Sequence, residues 1–152
     1  MMLRRAAPAL FAWVALAWAS AHAAPPIVDA PTALERTETG AAVLIDVRTR
    51  EEWRDTGVAA GARTLALQDP DFLGRLHAYV EGERTRPVLL ICRTGRRSAY
   101  AGTLLQRAGF TQIFNVAEGM AGSSAGPGWL ARGLALESYV PERHDVPATS
   151  TP

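Results

Sequence analysis

The chain has 152 residues, with 16 arginines, no lysine, 15 acidic residues and a single cysteine, Cys92. A formal net charge of +1 excludes a general electrostatic pull on nucleic acid. One cysteine excludes an internal disulfide framework, and the length suits one domain with one ordinary core.

MMLRR supplies a positive flank, and AAPALFAWVALAWAS follows as an apolar run of fifteen residues. That run is shorter than the roughly twenty residues a membrane span needs, and it matches the central region of a secretory signal. Ala21-His22-Ala23 then gives a small-x-small cleavage pattern. Residues 1–23 are therefore predicted to be a signal peptide. The mature chain would begin at Ala24, periplasmic or secreted, with no stable membrane insertion after cleavage. Losing Arg4 and Arg5 with the leader leaves 14 arginines against the 15 acids, net −1.

Ala24 to Ala30 reads as a short proline-containing lead-in, and Pro31 to Thr39 as a first helix stopped by Gly40. Ala42 to Val47 (AVLIDV) is a branched apolar run, as expected of a strand covered on both faces. EEWRD suggests a helical turn, GVAAGA a connector and RTLAL (Arg63 to Leu67) a second strand. Asp69-Pro70 marks a helix start, Phe72, Leu73, Leu76 and Val80 recur at helical spacing, and Gly82 ends the run. PVLLI (Pro87 to Ile91) is a third strand. Ala101, Leu104, Leu105 and Ala108 form one helical face, and QIFNV (Gln112 to Val116) is the last strand.

A short helix is expected around Trp129 to Arg132, then a flexible tail over residues 138–152. Strands alternating with helices predict an α/β domain over residues 24–137, with a mostly parallel central sheet and helices on both faces.

Ligands of such sheets bind beyond the carboxyl ends of the strands, and Cys92 follows PVLLI at that edge. Arg93 to Arg97 is then a tight loop before a helix expected to start near Ser98, and Gly95 permits a positive φ. Amides of such a loop, with the positive helix end, can converge on one spot as an anion cradle. Lowering a thiol pKa by about two units from roughly 8.5 takes about 2.7 kcal/mol. A few charge-assisted hydrogen bonds at about 1.5–3 kcal/mol each supply that without a histidine. His22, His77 and His144 all lie far from Cys92 in sequence. Packing alone explains a buried cysteine but not three nearby arginines, so a reactive thiol is the reading.

CRTGRRS resembles the active-site loop of the rhodanese family of sulfurtransferases, a Cys-x-x-Gly-x-Arg pattern followed by a small hydroxyl residue. LIDVRTREEW is similar to the family's first strand, and GFTQIFNVAEGMAG to the segment where its last strand enters a Gly-Gly loop. The likeness spans about Ile27 to Leu136, although Val58, Ala59 and Ala60 replace a usual His-Ile-Pro. Ala121 through Gly128 is also lengthened.

The resemblance implies a rhodanese-like three-layer fold acting as a monomeric thiosulfate sulfurtransferase. Cys92 would attack the outer sulfur of thiosulfate or a similar anionic donor, expel sulfite and hold a persulfide until a thiol or cyanide takes it. No metal and no organic cofactor is implied; an exported protein partner is a further expectation. Arg97 would hold the loop, while Arg93 and Arg96 would line the mouth and attract the donor. Thr94, Gly95 and Ser98 would contribute backbone groups and caps. Asp46 and Arg48 resemble supporting residues on the neighbouring strand, a purely structural ion pair being the alternative. Glu118 and Trp129 are candidates for the pocket wall.

Two other readings stand beside this one. A sulfur carrier or partner-binding module without turnover needs the same loop. A phosphatase or arsenate reductase would need a longer loop, of the Cys-x5-Arg type, than the four residues between Cys92 and Arg97.

Overall fold

The computed structural model describes residues 23–144; the expected leader through His22 and the tail beyond His144 lie outside the described residues. Five parallel strands form the central sheet in the order β1-β6-β5-β2-β4. These are β1 (Ile27–Val28), β2 (Val43–Asp46), β4 (Arg63–Thr64), β5 (Val88–Ile91) and β6 (Ile113–Val116). A second, two-stranded sheet pairs β3 (Val58–Ala59) antiparallel with β7 (Leu136–Glu137).

Helices α1 (Ala30–Glu38) and α2 (Arg50–Thr56) cover one face of the sheet, and α3 (Phe72–Tyr79) and α4 (Arg96–Arg107) the other. Alternation along β5 sorts its side chains between these layers. Leu89 and Ile91 join Ala30, Ala33 and Trp53, while Val88, Leu90 and Cys92 join Leu76, Ala101 and Leu105. Cys92 thus continues the strand's two-residue period toward α4. The expected three-layer arrangement, α/β/α around a mainly parallel sheet, is the one observed.

Local signals explain the helix starts. The Asp29 carboxylate accepts from the Thr32 amide at 2.8 Å, with Pro31 in the first turn of α1. Thr49 and Glu52 form a reciprocal capping box at α2. Asp69 turns toward the Asp71 amide at 2.9 Å rather than capping, and α3 begins later, at Phe72, than Asp69-Pro70 suggests.

The described residues correct several expectations. The lead-in contains an edge strand, β1, locked to β6 by the Asn115 amide donating to the Pro26 carbonyl at 2.8 Å. The GVAAGA connector contains β3, whose partner β7 lies almost eighty residues downstream, out of reach of local patterning. RTLAL supplies only the two strand residues Arg63 and Thr64. The segment around Trp129 is a series of turns, not a helix.

The tail also starts later than residue 138, because Tyr139 stacks on Trp53 with ring centroids 5.2 Å apart. One turn of helix, α5 (Pro141–His144), then brings His144 to 2% exposure and its carbonyl to 3.2 Å from the Tyr79 hydroxyl. A chain cut after Ser138 is expected to lose about 2 kcal/mol, the order of burying one large side chain. Urea unfolding followed by tryptophan fluorescence would show this, and an unchanged midpoint would return the strap to the status of a tail.

Candidate functional site

Cys92 stands directly after β5, at the carboxyl edge of the sheet, and is 1% exposed. Its burial follows from the β5 period: the side chain points under the first turn of α4 and belongs to the same apolar cluster as Val47, Leu90 and Ala101. The Ser98 hydroxyl meets it there, with Oγ 3.3 Å from Sγ. Where an anion cradle around the thiol is expected, the sulfur itself is covered, with a hydroxyl beside it.

The loop is held from outside by its carbonyls. The Met120 amide donates to the Cys92 carbonyl at 2.9 Å, and the Ala121 amide donates to the Arg93 carbonyl at 2.8 Å. The Gly95 carbonyl is approached by three donors, Ala99 N at 3.1 Å, Ser98 Oγ at 3.1 Å and Asn115 Nδ2 at 3.2 Å. In a trans peptide the N–H points opposite the preceding carbonyl, so the Arg93, Thr94 and Arg96 amides face away from these anchors. The Arg96, Arg97 and Ser98 amides also belong to the unpaired first turn of the twelve-residue helix α4.

Gly95 makes the geometry possible. Its φ is 85°, and a Cβ there would lie 2.1 Å from the Ala117 carbonyl oxygen. Gly119 also faces the loop closely, 2.5 Å from the Arg93 carbonyl oxygen if it carried a Cβ.

The arginines divide into two groups. Arg97 is spoken for: Nη1 and Nη2 donate to the two Glu52 carboxylate oxygens at 2.8 and 2.7 Å. Arg48, 2% exposed, is spoken for as well. Its Nε and Nη2 clasp the fully buried Asp46 carboxylate, at 2.7 Å for the shortest contact. Nη2 also reaches the Gly57 carbonyl at 2.8 Å and Nη1 the Thr56 hydroxyl at 2.7 Å. This pair ties the end of β2 to the last turn of α2.

Arg93, Thr94 and Arg96 are exposed, and among the described residues neither Arg93 nor Arg96 enters an ion pair. Arg93 lines a cavity of about 350 Å³ over the strand ends, with Arg48, Glu52 and Asp55 on one side and Met120 and Leu130 on the other. Arg96 does not line it. A larger groove, about 590 Å³ between Pro26, Phe110 and Phe114, borders the amino end of β6, the opposite sheet edge.

Glu118 and Trp129, expected at the pocket wall, instead hold the long loop after β6. Glu118, 1% exposed, accepts from the Ala30 and Gly128 amides at 2.7 and 2.8 Å and from Arg132 Nε at 2.8 Å. Burial pulls its carboxyl upward, but the Arg132 hydrogen bond and the two amides outweigh it and leave the group below its ordinary range. Trp129 is fully buried and donates Nε1 to the Ala135 carbonyl at 2.9 Å.

Two residues at the site escaped sequence reasoning. Glu52 carried a signal, the Thr-x-x-Glu capping box, but its partner Arg97 lies 45 residues away. Asn115, a polar residue inside the strand QIFNV, was itself the signal. Among the described residues no cluster of His, Cys, Asp or Glu is gathered as a metal site requires.

Comparison with known proteins agrees with this fold. Residues 29–125 match the sequence profile of the Rhodanese-like domain family. An uncharacterized protein of Rickettsia conorii is 28% identical over 99 residues, 61% of this chain and 80% of that protein. The solution structure of a rhodanese-like domain from Anabaena sp. superposes with a TM-score of 0.58 at 26% identity, covering 84% of this chain and 88% of that one. A polysulfide-sulfur transferase homodimer from Wolinella succinogenes shares the fold at 23% identity and a TM-score of 0.54, over 80% and 85% of the two chains.

The Glu52–Arg97 clasp has a pH signature. Hydrogen bonds from Arg97, helped by the Thr49 amide, lower the Glu52 carboxyl from 4.5 to about 2 despite partial burial. A depressed carboxylate stabilises the fold above its unfolded pKa, and that contribution fades as pH falls from 4.5 toward 2. Glu52→Gln is therefore expected to cost about 1–2 kcal/mol near neutral pH, after allowing for solvent screening of a partly exposed pair. The gap to the unsubstituted protein should close on acidification across that window. Urea unfolding at a series of pH values reads it, and a gap independent of pH would remove the clasp from the acid response.

Proposed function

The chain belongs to the rhodanese-like family, and from that premise we propose that it is a sulfurtransferase carrying sulfane sulfur as a persulfide on Cys92. The Cys92 thiolate attacks the outer sulfur of thiosulfate, the S–S bond of the donor breaks, and sulfite leaves with the bonding pair. An acceptor thiolate, or cyanide, then attacks the terminal sulfur of the persulfide and returns Cys92 to the thiolate. Charge and atoms balance in both steps without metal or redox cofactor.

The observation that carries this reading is the placement of the chain's one sulfur nucleophile. Cys92 lies at the carboxyl edge of β5, beneath the head of α4, with the Ser98 hydroxyl 3.3 Å from Sγ. Four residues separate Cys92 from Arg97, too short a loop for the Cys-x5-Arg pattern of phosphatases. Polysulfide belongs among the donors to test, because a polysulfide-sulfur transferase shares the fold.

The near-complete burial of Cys92 favours a second form of the same reading, in which a protein partner uncovers the sulfur and the domain works as a carrier. The arginine-flanked apolar leader supports export to the periplasm or beyond.

Mass spectrometry of the intact mature protein after exposure to thiosulfate or polysulfide should show a gain of one sulfur atom, reversed by cyanide or a thiol. Cys92→Ser should show none while keeping the fold. A gain that persists in that variant would refute the Cys92 persulfide, and no gain with any small donor would leave only the partner-dependent form. Arg93→Ala should raise KM for thiosulfate about fivefold, in line with the roughly 1 kcal/mol of an exposed charge pair. High salt should mimic the change in the unsubstituted enzyme; an unaltered KM would make Arg93 a bystander.

A further inference from the structure

We propose that Asn115 is a positioning residue for Cys92: by occupying the Gly95 carbonyl, it reserves the Ser98 hydroxyl proton for the cysteine sulfur. The inference rests on the reading of Cys92 as a nucleophile and adds a device that the family pattern in this loop does not contain.

Protons and lone pairs decide where the Ser98 hydroxyl donates. The Ser98 hydroxyl has one proton and two acceptors in reach, Cys92 Sγ at 3.3 Å and the Gly95 carbonyl at 3.1 Å. A carbonyl oxygen offers two lone pairs. Gly95 O is approached by three donors: the Ala99 amide at 3.1 Å, Asn115 Nδ2 at 3.2 Å and Ser98 itself. The Ala99 amide has no other acceptor, since this is the first hydrogen bond of α4. Asn115 fills the second lone pair from below, on the strand side. Ser98 is then the donor left over, and the acceptor left for it is the sulfur.

The orientation of the Asn115 amide follows from the same network, because the opposite flip would set two oxygens against each other. That orientation leaves Oδ1 buried without a hydrogen-bond partner in a residue 6% exposed. A buried orphan oxygen is costly, and an apolar residue of the same size in the middle of β6 would avoid it. Packing therefore does not account for asparagine here, whereas control of the Gly95 carbonyl does. The strand itself fixes the side chain: Asn115 pairs with Leu90 of β5 on one side and Ile27 of β1 on the other. The ladder thus sets the position of Nδ2, independently of the loop.

A hydroxyl proton directed at sulfur favours the thiolate over the thiol. Without Asn115, the Ser98 proton turns to the vacated lone pair of Gly95, and the sulfur loses its donor. The two side chains therefore act in series, which a thermodynamic cycle detects.

The test is a pH titration of the thiolate ultraviolet absorbance, which the single cysteine makes assignable, in the protein as isolated and in Ser98→Ala, Asn115→Leu and the double variant. Asn115→Leu keeps the volume and removes the orphan oxygen, so it should fold; Asn115→Ala serves if leucine does not fit. Ser98→Ala should raise the Cys92 pKa by about one unit, the order expected of one hydrogen bond to a charged group. Asn115→Leu should raise it by most of that amount, a nearly tenfold loss of thiolate at any pH below the transition. The double variant should go no further than Ser98→Ala alone. An unchanged pKa in Asn115→Leu, or additive shifts in the double variant, would overturn the proposal. Because the titration needs no sulfur donor, an unsubstituted protein that shows this coupling yet takes sulfur neither from small donors nor from a donor protein would overturn the sulfur-transfer reading and leave the positioning role intact.

Discussion

The site depends on how the loop after β5 is gripped through its carbonyls. Met120 and Ala121 donate to the carbonyls of Cys92 and Arg93, and Gly95 lies flat against Ala117. All three contacts come from the segment that follows β6, the strand next to β5 in the sheet. With the carbonyls fixed outward, peptide planarity turns the intervening amides the other way. The loop needs no metal or disulfide to hold its shape; it borrows rigidity from the sheet through one neighbouring strand. Glu118 completes the grip by anchoring that segment to the start of α1 and to Gly128.

The abundance of arginine near Cys92 has several causes. Arg48 and Arg97 each clasp a carboxylate, and each joins an edge of the site to α2. Their charges are largely cancelled where they stand. The field that reaches solvent at the mouth comes from Arg93 and Arg96, and only Arg93 borders the cavity over the strand ends. Asp55, on the same cavity, tempers even that contribution. The positive field at the mouth therefore comes from a few exposed groups, while structural ion pairs keep the walls in place.

Much of this was legible in the sequence because it is local. The central strands AVLIDV, PVLLI and QIFNV announce themselves as short branched apolar runs, and α4 by its repeating apolar face. The position of Cys92 at the strand edge follows from the same reading. Its burial was legible too, since Val88, Leu90 and Cys92 alternate in one direction, but the expectation of an anion cradle around the thiol passed over that period. Contacts between distant segments left no local trace. β3 is a strand only because β7 arrives beside it, β1 because β6 offers its edge, and the strap over Trp53 because Tyr139 and His144 fold back. The partner of Glu52 and the role of Asn115 belong to the same class: each residue type was visible, its correspondent across the fold was not.

The lid over Cys92 also governs what else can reach it. A sulfur with 1% exposure meets peroxide or a stray disulfide only in the moments when its cover lifts. Oxidation to sulfenic and higher acids then proceeds at the frequency of that breathing rather than at the intrinsic reactivity of the sulfur. The thiol is thereby shielded to a degree set by the tightness of Met120 and Ala121 on the loop.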